Sequence, residues 1–170
     1  MVCQGVLKEY GVRVEKDAQG WEIGVREVKL HERFRRAFGK RGMWLDAKMR
    51  LQFVHHDHVV IPEVQSLPAG WMAFGSTDHC AVQGVYEPGR VLTLQGHFEF
   101  DRFVNSECIR YFFGSDWGHD RLDEALQAID ADDDSEAAAK MILGFFLEKG
   151  GDVIGSHHDV FRGLLTPPGE

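Results

Sequence analysis

The chain reads as a single domain of the mixed α/β or α+β class, and three observations predict it. Period-2 alternation and β-rich runs lie before residue 96, apolar stripes at three- and four-residue steps lie after it, and 170 residues at 44% hydrophobic content can bury one sizeable core.

The elements follow in order. Trp21, Ile23 and Val25 alternate with Glu22, Gly24 and Arg26, the signature of a half-buried strand, which continues with a phase change through Val28 and Leu30. Further strands are expected at Arg50–Val54, Trp71–Ser76, Cys80–Tyr86 and Val91–Gln95. The last two are joined by Glu87-Pro88-Gly89-Arg90, which has tight-turn composition, so they read as a hairpin. Asp101 can cap a helix whose apolar positions are Val104, Cys108, Ile109 and Phe112. Leu122, Ala125, Leu126 and Ile129 make a second stripe, and Ser135 opens a third carrying Ala138, Met141, Ile142, Phe145 and Phe146, stopped by Gly150 and Gly151. Residues 1–150 form the expected domain and 151–170 a tail.

Charge bounds the partners. Nineteen basic against 27 acidic side chains give −8, and nine of the acids fall between Asp116 and Met141. Phosphate binding needs a net basic face, so nucleic acid is not the expected partner; the one reservation is Arg33, Arg35, Arg36, Lys40, Arg41, Lys48 and Arg50. Mean hydropathy of −0.28 and the lack of a long charge-free apolar run argue against a membrane span. Cys3, Cys80 and Cys108 are odd in number and form no CxxC, so neither a disulfide framework nor a structural zinc site is implied. The start resembles neither a secretory signal nor a transit peptide, which makes the cytosol the expected compartment.

The sharpest chemistry lies where the run Val91–Gln95 ends in Gly96 and is followed by His97-Phe98-Glu99. This delivers an imidazole and a carboxylate at the carboxyl end of a strand, where α/β folds place reacting groups. A histidine acts as general base only if its tautomer is fixed, and a carboxylate two residues on can accept its other N–H. On spacing alone, a solvated histidine beside a helix-capping glutamate is the simpler fit.

Four motifs in order change that balance. They are Gly20-Trp21-Glu22-Ile23-Gly24-Val25, His55-His56-Asp57-His58-Val59, Cys80-Ala81-Val82-Gln83-Gly84 and Gln95-Gly96-His97-Phe98-Glu99-Phe100. In that order they are similar to the GWEIGV strand, HxDxV loop, CAVQ strand and QxHPEF motif of the class I glutamine amidotransferase family, of the GMP-synthase type, which the sequence resembles over most of its length. The resemblance implies a partial, flavodoxin-like three-layer α/β fold with the first parallel strands missing. It implies hydrolysis of the glutamine side-chain amide by a Cys-His-Glu triad, with no cofactor and no metal and with ammonia passed to a synthase partner. His97 would be the general base and Glu99 its orienter, with Gln4, His55 and Asp57 on the substrate side.

Two departures follow from the same alignment. Phe98 replaces the family's proline, removing a fixed φ after His97. Counting back without gaps from Gly20-Trp21 puts the family's glutamine on Gln4 and its histidine on Cys3, so the nucleophilic cysteine falls one residue before Met1 and is expected to be missing or to lie upstream. A gapped alignment would make Cys3 the nucleophile, although Cys3-Gln4-Gly5-Val6 does not reproduce C-x-G-H-Q.

Other clusters have plainer readings. Alternation sends His56 and His58 to one face and His55 and Asp57 to the other, which is awkward for a metal. His157, His158 and Asp159 read as a polar loop, and Asp130 to Asp134 lacks calcium-loop spacing and reads as a solvated linker. Two functional readings stand: an amidotransferase or glutaminase domain, and a non-catalytic remnant of that family acting by binding.

Overall fold

The computed structural model describes Leu7 and residues 12–39, 45–60 and 67–149. Residues 1–6, including Cys3 and Gln4, lie outside them, as does the 151–170 tail. Among the described residues there are eight strands and four helices: β1 Arg13–Lys16, β2 Glu22–Leu30, α1 Glu32–Gly39, β3 Lys48–His55, β4 Asp57–Val60, β5 Met72–Ala73, β6 Gly75–Ser76, β7 Gly84–Glu87, β8 Val91–Leu94, α2 Arg102–Phe113, α3 His119–Ile129 and α4 Ser135–Lys149. They make a mixed α/β fold.

The strands form three small sheets with orders β1-β4, β3-β2-β6 and β5-β7-β8, and every pair among the described residues is antiparallel. The central pair runs the full length of β3, from Glu22 opposite His55 to Lys29 opposite Lys48. Helices cover this sheet on both sides, which makes three layers. On one side Ile23 packs with Ile109 of α2 and with Ala125 and Ile129 of α3. On the other, Val28, Leu30, Met49, Leu51 and Phe53 meet Phe34 and Phe38 of α1 and Ala138, Met141 and Phe145 of α4. A third cluster of Leu7, Val59, Trp71, Val82 and Val85 sits under β1 and β4.

One expectation is corrected at once. Glu22, read by alternation as a solvent-facing residue, is 1% exposed, because His55, Thr77 and Gln83 close over it at this end of β2, while Arg26, Glu27 and Lys29 farther along the strand stay exposed. Gly24 marks the tightest approach on the α3 side. Its φ is +80°, and a Cβ there would lie 2.6 Å from the Ala128 backbone and Cβ.

Other expectations need redrawing. Trp71–Ser76 is two strands in two sheets, because at Phe74 the chain crosses from β7 to β2: Phe74 N–H donates to Gly84 O at 2.8 Å, and Phe74 O accepts from His31 N–H at 2.9 Å. Cys80–Val82 is not strand; the ladder begins at Gly84, and the expected hairpin runs from Gly84 opposite Leu94 to Glu87 opposite Val91. On α2 the buried positions are Asn105 and Ile109, while Val104 and Phe112 are exposed. On α4, Ala138, Met141 and Phe145 are buried and Phe146 is exposed. The acidic linker is tied to β3: Asp134 N–H donates to Arg50 O, its carboxylate accepts from Arg50, and Asp133 accepts from Ser135 N–H.

Helix α1 and the β1–β4 pair were not expected. Four of the basic side chains around α1 are engaged at home, while Lys40 and Arg41 lie outside the described residues: Arg35 donates to Leu45 O, Arg36 pairs with Glu32, Lys48 with Glu27 and Arg50 with Asp134.

A methyl group at position 24 tests the α3 contact. Gly24→Ala combines a left-handed backbone with overlap against Ala128, and thermal unfolding should show a loss of about 1–3 kcal/mol.

Candidate active site

The segment from β8 to α2 carries the site. Gln95 N–H donates to Gln83 O at 2.8 Å, and His97 N–H donates to Gln52 O of β3 at 2.8 Å, so the strand steps from the β7 ladder onto β3 within three residues. Gly96 makes the step possible: a Cβ there would lie 2.8 Å from the Phe53 ring and 2.9 Å from the Leu51 side chain. Asp101 closes the segment as the N-cap of α2, accepting from Val104 N–H at 2.7 Å.

The His97 side chain is half-buried, and its Nδ1 donates to Glu99 Oε1 at 2.8 Å. Its ring stacks on Phe100 at 4.0 Å between centroids and 9° between planes. Partial burial pushes the Glu99 carboxyl up, but the hydrogen bond and charge of His97 and the backbone N–H groups of Phe98 and Glu99 outweigh it and hold the group below its ordinary value. A cavity of about 400 Å³ runs along Leu92–Glu99 and is walled opposite by Ile142, Phe145 and Phe146 of α4. With Nδ1 donating to a carboxylate, Nε2 is the ring nitrogen that Glu99 leaves unengaged.

Behind this segment lies a buried polar network that joins the four motifs. The Glu22 carboxylate accepts from Thr77 Oγ1 and from Gln83 Nε2, each at 2.6 Å, and lies 3.0 Å from His55 Nε2. Gln95 Nε2 donates to Val82 O at 2.7 Å and reaches Gln83 Oε1 and Cys80 Sγ at 3.3 Å. Burial pushes the Glu22 carboxyl up, yet His55, Thr77 and Gln83 together hold it below its ordinary value of 4.5. Burial pushes the Cys80 thiol up, the opposite of what a reactive thiolate needs.

The expected substrate-side residues sit apart from the cavity wall. His55 is 9% exposed, with Nδ1 donating to Asp57 O at 3.0 Å, and neither residue is among the cavity lining. The chain bends at His56, between β3 and β4, so alternation does not carry through the run: His56 stacks on Trp21, and His58 Nδ1 lies 2.8 Å from the buried Asp17 carboxylate. Gln4 lies outside the described residues. The structure adds Phe100, Gln52 and Asn105 to the neighbourhood of His97; only Phe100, the last residue of the motif, had a sequence signal.

No family model matches the chain. A Schizosaccharomyces pombe protein named as glutamine amidotransferase-like is 30% identical over 146 residues, covering 85% of this chain and 54% of that protein. The chain is similar to the glutamine amidotransferase-like proteins. A Saccharomyces cerevisiae protein named as a glutamine amidotransferase is 32% identical over 106 residues, covering 61% of this chain and 38% of that one. This amidotransferase-like chain thus spans about half the length, or less, of these curated relatives. Its fold is shared with a glutamine amidotransferase from Methylobacillus flagellatus, at a TM-score of 0.61 and 19% identity over 91% of this chain and 62% of that one. A Thermotoga maritima glutamine amidotransferase matches at 0.51 and 19%, over 86% and 56%. Among the described residues no helix is long and apolar enough to cross a membrane.

The Glu22 network sets an acid limit on stability. Because the folded carboxyl titrates below 4.5, its stabilisation is complete above that pH and is lost as pH falls through the folded value. Glu22→Gln should unfold more easily at pH 7, by about 1–3 kcal/mol, and show a flatter acid limb in denaturant titrations from pH 7 to pH 3.

Proposed function

We propose that the chain carries the general-base side of a glutamine amidotransferase site, with His97 as the base, Glu99 as its orienter and the glutamine side-chain amide as the group acted on. The observation that supports this best is the 2.8 Å contact between His97 Nδ1 and Glu99 on the wall of the cavity. A carboxylate on Nδ1 leaves Nε2 to take a proton from a cysteine thiol. The thiolate attacks the amide carbon, and His97 returns the proton to the leaving ammonia. His97 then takes a proton from the water that attacks the thioester and returns it to the expelled thiolate, so that glutamate leaves and the free thiol is restored.

The nucleophile of this reaction comes from outside the described wall. Cys80 contacts Val82 and Gln95 in the buried network, Cys108 is half-buried on α2, and neither is among the cavity-lining residues. Cys3, the gapped-alignment candidate, lies outside the described residues. In this reading Gln4, His55 and Asp57 serve the substrate side, His55 through its hold on the Asp57 carbonyl, and the ammonia passes to a synthase partner in the cytosol. A second reading, glutamine binding without turnover, is favoured by the absence of a cysteine among the described lining residues.

Two measurements test these readings. Millimolar glutamine should shift the NMR signals of His97 and Glu99 where asparagine does not, and unmoved signals would overturn both readings. Ammonia release from glutamine by this chain should stay at the level of a His97→Ala protein. Release that vanishes in His97→Ala would make the chain a complete glutaminase, and loss in Cys3→Ser as well would identify its nucleophile.

A further inference from the structure

The five residues from His97 to Asp101 hang between two attachments, and both reach Gln52. At the front, His97 N–H donates to Gln52 O. At the back, Asn105 N–H donates to Asp101 O at 3.1 Å, while the Asn105 side chain donates through Nδ2 to Gln52 Oε1 at 2.8 Å and to Phe53 O at 3.3 Å. Gln52 is itself held by its Nε2, which donates to Ile129 O at the end of α3 at 3.1 Å and to Asp133 at 3.4 Å. Asn105 and Gln52 are 0% and 1% exposed.

We propose that Asn105 is a positioning residue for the His97–Glu99 pair, clamping the first turn of α2 to Gln52 so that Glu99 is held in reach of the His97 ring. This rests on the reading of His97 and Glu99 given above. Glu99 lies on the half of the segment that leads into α2, whereas His97 is fixed to β3 by its own backbone. The distance between the two side chains is therefore set by how α2 is anchored, and Asn105 supplies the polar anchor. A residue present for packing alone would be apolar here. Asn105 Oδ1 is buried without a hydrogen-bond partner among the described residues, a cost that an aliphatic side chain of similar size would avoid. Ile109, one turn on, fills that role on the same buried face.

The test reads the pair directly. In the full chain, the imidazole proton shared between His97 and Glu99 should give a downfield NMR resonance, assigned by its loss in His97→Ala. Asn105→Leu should lose that resonance while the folded dispersion of the spectrum remains; Ile109→Val, which trims the same helix face without touching a polar group, should keep it. Where Asn105→Leu does not fold, Asn105→Ala gives the same readout with a smaller side chain. A folded Asn105 variant that keeps the resonance overturns the positioning role and leaves the His97–Glu99 reading standing. A wild-type protein without the resonance overturns that reading and the positioning role with it.

Discussion

The buried carboxylate of Glu22 governs how several pieces of this chain meet. Removing a carboxylate from water costs several kcal/mol unless its oxygens are answered. The answers come from two segments far from it in sequence: His55 at the end of β3, and Thr77 and Gln83 on the turn between β6 and β7. Satisfying Glu22 therefore adds a polar constraint to the register that the β2–β3 ladder sets, and ties the 77–83 turn to β2.

The position of the imidazole follows from that network. Gln83 binds Glu22 through its side chain and holds Gln95 through its carbonyl, so the buried charge and the chain two residues before His97 share one residue. Cys80 takes part as a small buried group against Gln95, with its thiol pushed up by burial. Its motif thus serves the interior. Beyond Gly96, an imidazole and a carboxylate sit on a short connection attached at both ends to the sheet, an arrangement that holds the pair without relying on a free loop.

What the sequence disclosed and what it hid divide along one physical line. Local signals were legible: the β2 run, the β7–β8 hairpin, the Asp101 cap and the juxtaposition of His97 with Glu99 depend on residues a few positions apart. Helix α1 was obscured because Phe34 and Phe38, one turn apart and both fully buried, lie among Arg33, Arg35 and Arg36, and the charges drew attention to a surface role. Glu22, Gln52 and Asn105 were hidden for a deeper reason. A polar residue on an alternating strand or a helix looks solvent-facing, and only the tertiary contacts reveal a buried partner. The α2 stripe was legible in part: Ile109 is buried and Cys108 half-buried, but hydrogen bonds from Asn105 to Gln52 and Phe53 turn that helix so that Val104 and Phe112 face outward.

That rotation of α2 leaves a visible imbalance. Tyr111 and Phe112 on one side of the sheet, and Leu143, Phe146 and Leu147 on the other, are all more than half exposed. Helix α4 is apolar nearly all the way round from Ala137 to Leu147, a composition suited to a helix covered on every side, yet it is covered on one. The His97–Glu99 pair shows the same asymmetry, held on one wall of a cavity whose described lining contains no thiol. Inside, the Glu22 carboxylate is answered by partners drawn from distant parts of the chain; outside, apolar side chains on two helices are left uncovered among the described residues.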